Sequence, residues 1–208
     1  MTRTRVKFCG MTRVDDALLA ARLGVDAIGL VFTRRSSRFV ELAQARDIAD
    51  ALPPLVDVVA LFMDDEAAWV REVERLVRPH WLQFHGAEDD AFCAAFDTPH
   101  VKAIAMGTEG DVDARMAAHP HARAFLLDGH AAGEQGGSGQ RFDWSRVPRD
   151  AARPLVLAGG LHAGNVGHAI QRVHPWAVDV SSGIESAPGI KDGNKSEAFI
   201  RAVRQADV

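Results

Sequence analysis

Short β-rich apolar runs recur along the chain, and stretches with helical periodicity lie between them. The runs are RVKFC (5–9), AIGLVF (27–32), VDVVALF (56–62), WLQFH (81–85), VKAIA (101–105), AFLLD (124–128), LVLAG (155–159) and AVDVS (177–181). Near-continuous apolar runs of this length fit strands buried on both faces. The segment RVDDALLAARLG (13–24) opens on acidic residues, carries an apolar stripe and ends on glycine, which are helix start and stop signals. ELAQARDIADAL (41–52) stops at Pro53-Pro54. Helices are also predicted over 65–77, 87–96, 163–173 and 196–206, whereas 106–123 has few helical features and predicts a short or irregular fifth helix.

Strand–helix alternation implies a parallel sheet. Eight units predict one closed (β/α)₈ barrel, of the TIM type, over residues 1–208. The rival, an open doubly wound sheet, wants G-x-G-x-x-G after its first strand, and FCGMTR lacks it.

In such a barrel the C-terminal strand ends carry function. Here they read Cys9-Gly10, His85-Gly86, Asp128, Gly159-Gly160 and Ser181-Ser182-Gly183. Glycines after the seventh and eighth strands let backbone N–H groups approach an anion, the usual phosphate position of the fold. The sixth loop, GEQGGSGQRFDW (133–144), adds Gly136, Gly137, Ser138 and Gly139. Strand alternation puts Lys7 and Cys9 on one face, and Asp179 and Ser181 on one face of the eighth strand. The first and eighth strands are neighbours in a closed barrel, so Lys7 and Asp179 are predicted to pair inside it, a lone buried charge being costly. The same parity sets Cys9 over the barrel mouth. Cys9 by itself reads as core filler, and only its company on the rim with Asp128 and the glycine-rich loops turns the reading to chemistry. His85 reads either as a substrate contact or as a group bonded into the Gly86 turn. Cys93, beside Phe92 and Phe96, reads as packing.

Composition narrows the partners. The 208 residues include 24 Lys and Arg against 28 Asp and Glu, a formal net charge of −4, with the arginines scattered. Neither nucleic acid nor a membrane surface is indicated as a partner. No apolar run reaches the roughly 18–20 residues of a membrane span, MTRTRVKFCG lacks a signal-peptide core, and two cysteines make no disulfide framework. A cytoplasmic protein is expected. No histidine shows metal-ligand spacing with carboxylates.

The segments VKFCGMTRVDDALLAARLGVDAIGLVF, SSRFV, LQFHGAED, LLDG with GGSGQRFDW, LAGGL, DVSSGIE and PGIKD occur in this order. In combination they resemble the phosphoribosylanthranilate isomerases, (β/α)₈ enzymes of tryptophan biosynthesis. The resemblance implies an Amadori rearrangement of a phosphoribosylated aromatic amine, without metal or organic cofactor. It places Cys9 as general base, Asp128 as general acid and Arg38 on the anthranilate carboxylate. Gly159, Gly160, Ser181, Ser182, Gly183 and the glycines at 136–139 fall in the phosphate loops. Two positions depart from the family: Ser37 replaces a proline before Arg38, and Gln140 replaces a lysine after the sixth-loop glycines. An acid needs a proton at neutral pH: either Asp128 keeps its own, which the desolvation favoured by the flanking Leu126 and Leu127 would allow, or the proton comes from the substrate ammonium. The histidine-pathway isomerase, a barrel catalysing the same rearrangement, would carry aspartate in place of Cys9 and phosphate loops in both halves. A non-catalytic phosphosugar-binding barrel would tolerate loss of Cys9 or Asp128. A monomer or a homodimer fits the chain equally.

Overall fold

The computed structural model describes residues 3–129 and 142–207. The eight runs form β1 (Arg5–Phe8), β2 (Ala27–Val31), β3 (Asp57–Phe62), β4 (Trp81–Phe84), β5 (His100–Ala105), β6 (Ala124–Asp128), β7 (Leu155–Leu157) and β8 (Ala177–Val180). They hydrogen-bond in chain order, all parallel, and β8 closes on β1 to complete the barrel. The (β/α)₈ architecture expected from the alternation is the one observed.

The helices are α1 (Val14–Leu23), α2 (Leu42–Ala51), α3 (Ala67–Val77), α4 (Asp90–Cys93), α5 (Val112–Ala117), α6 (Val166–Val173) and α7 (Gly193–Ala206). Asp15 and Asp16 sit in the first turn of α1, where the N-terminal partial positive charge favours them. Gly24 ends that helix with φ 83°. Leu52 is extended, as a residue before proline prefers, so α2 stops at Ala51. Three helices differ from their predicted extents by three residues or more. A single turn, α4, replaces the helix predicted over 87–96; beyond Cys93 the chain turns so that Phe92 and Phe96 both close on Phe84, with ring centroids 5.9 and 5.7 Å away. The start of α6 is delayed because Asn165 ties up the preceding loop, accepting from the His162 N–H at 2.8 Å and donating to the Gly160 carbonyl at 2.9 Å. In α7 the Asp192 side chain accepts from the Lys195 N–H, and the helix begins early. Between β6 and β7 the described residues include one 3₁₀ turn, Trp144–Arg146. Past β8 a second 3₁₀ turn, Ser182–Ile184, leads into a two-stranded antiparallel hairpin of β9 (Glu185–Ala187) and β10 (Ile190–Lys191).

Strand alternation splits the core in two. Outward residues such as Val6, Phe8, Ile28, Leu30, Phe62 and Val180 pack beneath the helices. Inside the barrel, Ala103, Leu126 and Ala158 form a small apolar cluster with Val101 and Val156. The interior also holds the predicted ion pair: Lys7 and Asp179 are register partners, and Lys7 Nζ donates to Asp179 Oδ1 at 2.9 Å. Each of these side chains is 9% exposed.

Candidate active site

The C-terminal strand ends surround a cavity with about 730 Å³ of empty space, open to solvent at its mouth. Cys9, Arg38, His85, Asp128, Gly159, Gly160, Ser181 and Ser182 all line it. Gly183 follows directly in the 3₁₀ turn after β8. Residues 136–139 lie outside the described residues.

Cys9 follows β1 and is buried, at 6% exposure, above the Lys7–Asp179 pair. Its position depends on Gly29 of the neighbouring β2. A Cβ there would lie 2.7 Å from Cys9 Sγ and 3.1 Å from Lys7 Nζ, so these two atoms crowd over a strand that has no side chain to block them. Burial pushes the Cys9 thiol above its ordinary value; Lys7, by charge and by a hydrogen bond, pulls it back, and Asp179 pushes it up again. The balance is upward, so the resting group is a thiol. Burial also works against the Lys7 ammonium, but Asp179 and Cys9 together outweigh it and the pKa is raised. Cys93 is buried among the outer core residues, as its packing assignment requires, and burial pushes it up to about 12.

Asp128 ends β6 with its side chain on the cavity. The His85 ring reaches across to it: Nε2 lies 3.2 Å from Asp128 Oδ2, and Nδ1 lies 3.1 Å from Gln83 Nε2. Neither sequence reading of His85 foresaw this partner. The residues concerned stand on β4 and β6, and only barrel closure turns both toward one axis.

Arg38 faces the cavity but is held from behind. Its Nε donates to Glu185 Oε1 at 2.9 Å and its Nη2 to Glu185 Oε2 at 2.7 Å, a bidentate pair 13% and 5% exposed. Lys191, 1% exposed, donates to the same Oε1 at 2.8 Å and to the Cys9 carbonyl at 2.6 Å. The Glu185 carboxyl is held below its ordinary value: burial opposes this, but Arg38 and Lys191 prevail. Sequence reasoning did not single out Glu185 or Lys191. The signal available was Pro188-Gly189, a turn dipeptide between them that marks the hairpin.

The loops after β7 and β8 are pressed together. Gly159 and Gly160 have φ of 81° and 61°, which only glycine adopts readily. A side chain on Gly183 would run into the Leu161 carbonyl. The Ser181 hydroxyl is buried with no hydrogen-bond partner among the described residues. A buried donor left unpaired costs about 1–3 kcal/mol, which a bound acceptor would recover. Among the described residues there is no group of three or more His, Cys, Asp or Glu placed to hold a metal ion.

A family model for N-(5′-phosphoribosyl)anthranilate isomerase matches residues 6–202. The chain belongs to the phosphoribosylanthranilate isomerase family. It is an enzyme, an isomerase of tryptophan biosynthesis. A phosphoribosylanthranilate isomerase of Xanthomonas campestris is 54% identical, the match covering 99% of this chain and 95% of that one. The crystal structure of the Thermotoga maritima isomerase aligns with a TM-score of 0.89 at 39% identity, covering 97% of this chain and 99% of that chain. A family member solved in complex with reduced 1-(o-carboxyphenylamino)-1-deoxyribulose 5-phosphate aligns with a TM-score of 0.84 at 36% identity over the same shares. Within the described residues, no helix is long and apolar enough to cross a membrane.

Proposed function

We propose that this isomerase converts N-(5-phosphoribosyl)anthranilate to 1-(2-carboxyphenylamino)-1-deoxyribulose 5-phosphate, with Asp128 as general acid and Cys9 as general base. The reading rests chiefly on the convergence of these two proton-transfer groups on one cavity roofed by glycine-rich loops. Phosphate at the loops after β7 and β8 would draw on their backbone N–H groups and on the Ser181 hydroxyl, which has no partner among the described residues. Gly136, Gly137, Ser138 and Gly139 belong to the same proposed phosphate site, and Arg38 takes the anthranilate carboxylate.

With the substrate so anchored, the ribose spans the gap between β1 and β6. Asp128 protonates the furanose oxygen and the ring opens to an iminium ion. Cys9 first gives up its thiol proton to solvent at the cavity mouth; the thiolate then removes the C2′ proton to give an enolamine, which loses its O2′ proton and gains one at C1′ to become the ketone. Burial holds the resting Cys9 as a thiol. The iminium brings a positive charge beside Sγ and favours the thiolate at the step that needs it. Lys7 acts in the same direction from below. His85, 3.2 Å from Asp128, orients the acid toward the sugar.

The test generates phosphoribosylanthranilate in place from anthranilate and phosphoribosyl pyrophosphate and follows its loss by fluorescence. Wild type should turn over, and Cys9→Ser and Asp128→Asn should each fall by at least ~10²-fold, the usual worth of a positioned acid or base. A Cys9→Ser enzyme close to wild type would remove Cys9 from the mechanism. Turnover of the histidine-pathway ribonucleotide in preference to this substrate would reject the substrate assignment.

A further inference from the structure

The hairpin after β8 brings a carboxylate into a site whose proposed substrate is itself a carboxylate. That carboxylate is Glu185. Its backbone is anchored independently of the cavity: Lys195 Nζ donates to the Glu185 carbonyl at 2.7 Å, the Lys191 N–H donates to Asp16 Oδ2 at 3.0 Å, and the Thr12 hydroxyl donates to the Gly189 carbonyl at 2.5 Å. The hairpin is thus tied to α7, α1 and the loop after β1. Both side-chain oxygens are occupied, Oε1 by Arg38, Lys191 and the Gly189 N–H, and Oε2 by Arg38.

The pairing uses one edge of the guanidinium, Nε and Nη2. A guanidinium has a second bidentate edge, Nη1 with the outer N–H of Nη2, matched in spacing to a carboxylate. The Arg38 stem passes so close over Gly10 that a Cβ there would collide with Arg38 Cδ, which places the guanidinium beside Cys9 on the cavity wall. The Glu185 carboxylate answers two cations, Arg38 and Lys191, so an incoming carboxylate at the outer edge of Arg38 meets a guanidinium whose charge Glu185 shares with Lys191.

We propose that Glu185 is a positioning residue that aims the free edge of Arg38 at the ring carboxylate of the substrate, and so sets the preference for a carboxylated aryl amine. This rests on the isomerase reading above. Glu185 touches no reacting atom; it acts through Arg38.

The experiment compares N-(5-phosphoribosyl)anthranilate with the carboxylate-free N-(5-phosphoribosyl)aniline. It uses wild type, Glu185→Asp, Glu185→Gln, Arg38→Met and the Arg38→Met/Glu185→Gln double variant. Glu185→Asp keeps the charge and draws it back by one methylene, so it tests position alone. Wild type should prefer the carboxylated substrate. Both Glu185 variants should reduce that preference by at least ~10-fold, mostly through KM, with kcat/KM for the aniline substrate within about 3-fold of wild type. The double variant should show no less preference than Arg38→Met. Equal losses on both substrates, an unchanged preference, or additive losses in the double variant would each overturn the proposal. A wild type that converts neither substrate would instead bring down the isomerase reading, and this inference with it.

Discussion

Removing Lys7 while leaving Asp179 strands a carboxylate inside the barrel, and the geometry sets the size of the effect. The two groups are 2.9 Å apart, each 9% exposed. Breaking a buried pair from one side costs about 3–5 kcal/mol, whereas replacing both partners with apolar residues of similar bulk is close to neutral. At roughly 2–4 °C per kcal/mol for a chain of this size, Lys7→Met or Asp179→Val should lower Tm by roughly 6–20 °C. The Lys7→Met/Asp179→Val double variant should recover most of that loss. Scanning calorimetry of wild type, Lys7→Met, Asp179→Val and their double variant completes the cycle. Activity should not recover with stability. Lys7 pulls the Cys9 thiol down more strongly than Asp179 pushes it up, so deleting both leaves Cys9 more firmly protonated. The rescued protein should therefore fold yet turn over slowly, with its alkaline-side activation moved to higher pH. A double variant as unstable as the two single losses added together would refute the pairing argument. A double variant with full activity and an unmoved pH profile would refute the role of Lys7 beneath Cys9.

Two further outcomes follow from the same corner of the barrel. Gly29→Ala places a methyl 2.7 Å from Cys9 Sγ and 3.2 Å from its Cα, so the backbone must give way; it should cost about 1–3 kcal/mol in urea unfolding and ~10²-fold or more in kcat/KM, and a fully active Gly29→Ala enzyme would show that Cys9 placement is loose. Because burial raises the Cys9 thiol, its alkylation by iodoacetamide should still be accelerating above pH 9, with Cys93 inert in the folded state. Peptide mapping after timed labelling reads both sites, and a rate that levels off below pH 8 would show a thiolate already formed.

Periodicity along the chain was enough to place the eight strands and to order them, because a parallel barrel needs apolar runs at regular spacing and joins neighbours in sequence. Parity along β1 and β8 was enough to pair Lys7 with Asp179, since alternation is a local property and the two strands must meet when the barrel closes. Cys9, Asp128, Gly159-Gly160 and Ser181-Ser182 were visible for the same reason: each stands at the C-terminal end of a run. Helix ends were less legible at α4, α6 and α7, where a side chain's choice of partner, such as Asn165 bonding His162 and Gly160, decides whether a turn continues.

Tertiary structure alone decided what these groups meet. His85 and Asp128 lie 43 positions apart, and Arg38 and Glu185 lie 147 apart. No local pattern encodes contacts across such separations. The protonation of Cys9 was equally out of reach of the sequence. The sequence shows a lysine two residues away, but the upward balance comes from burial, which depends on barrel closure and on the bare Gly29 strand beside it. The chain's hydrophobic pattern is short-ranged and so specifies strands, faces and strand ends. Ion pairs, desolvation and the shape of the cavity are properties of distance in space, and they came into being only when the eighth strand closed on the first.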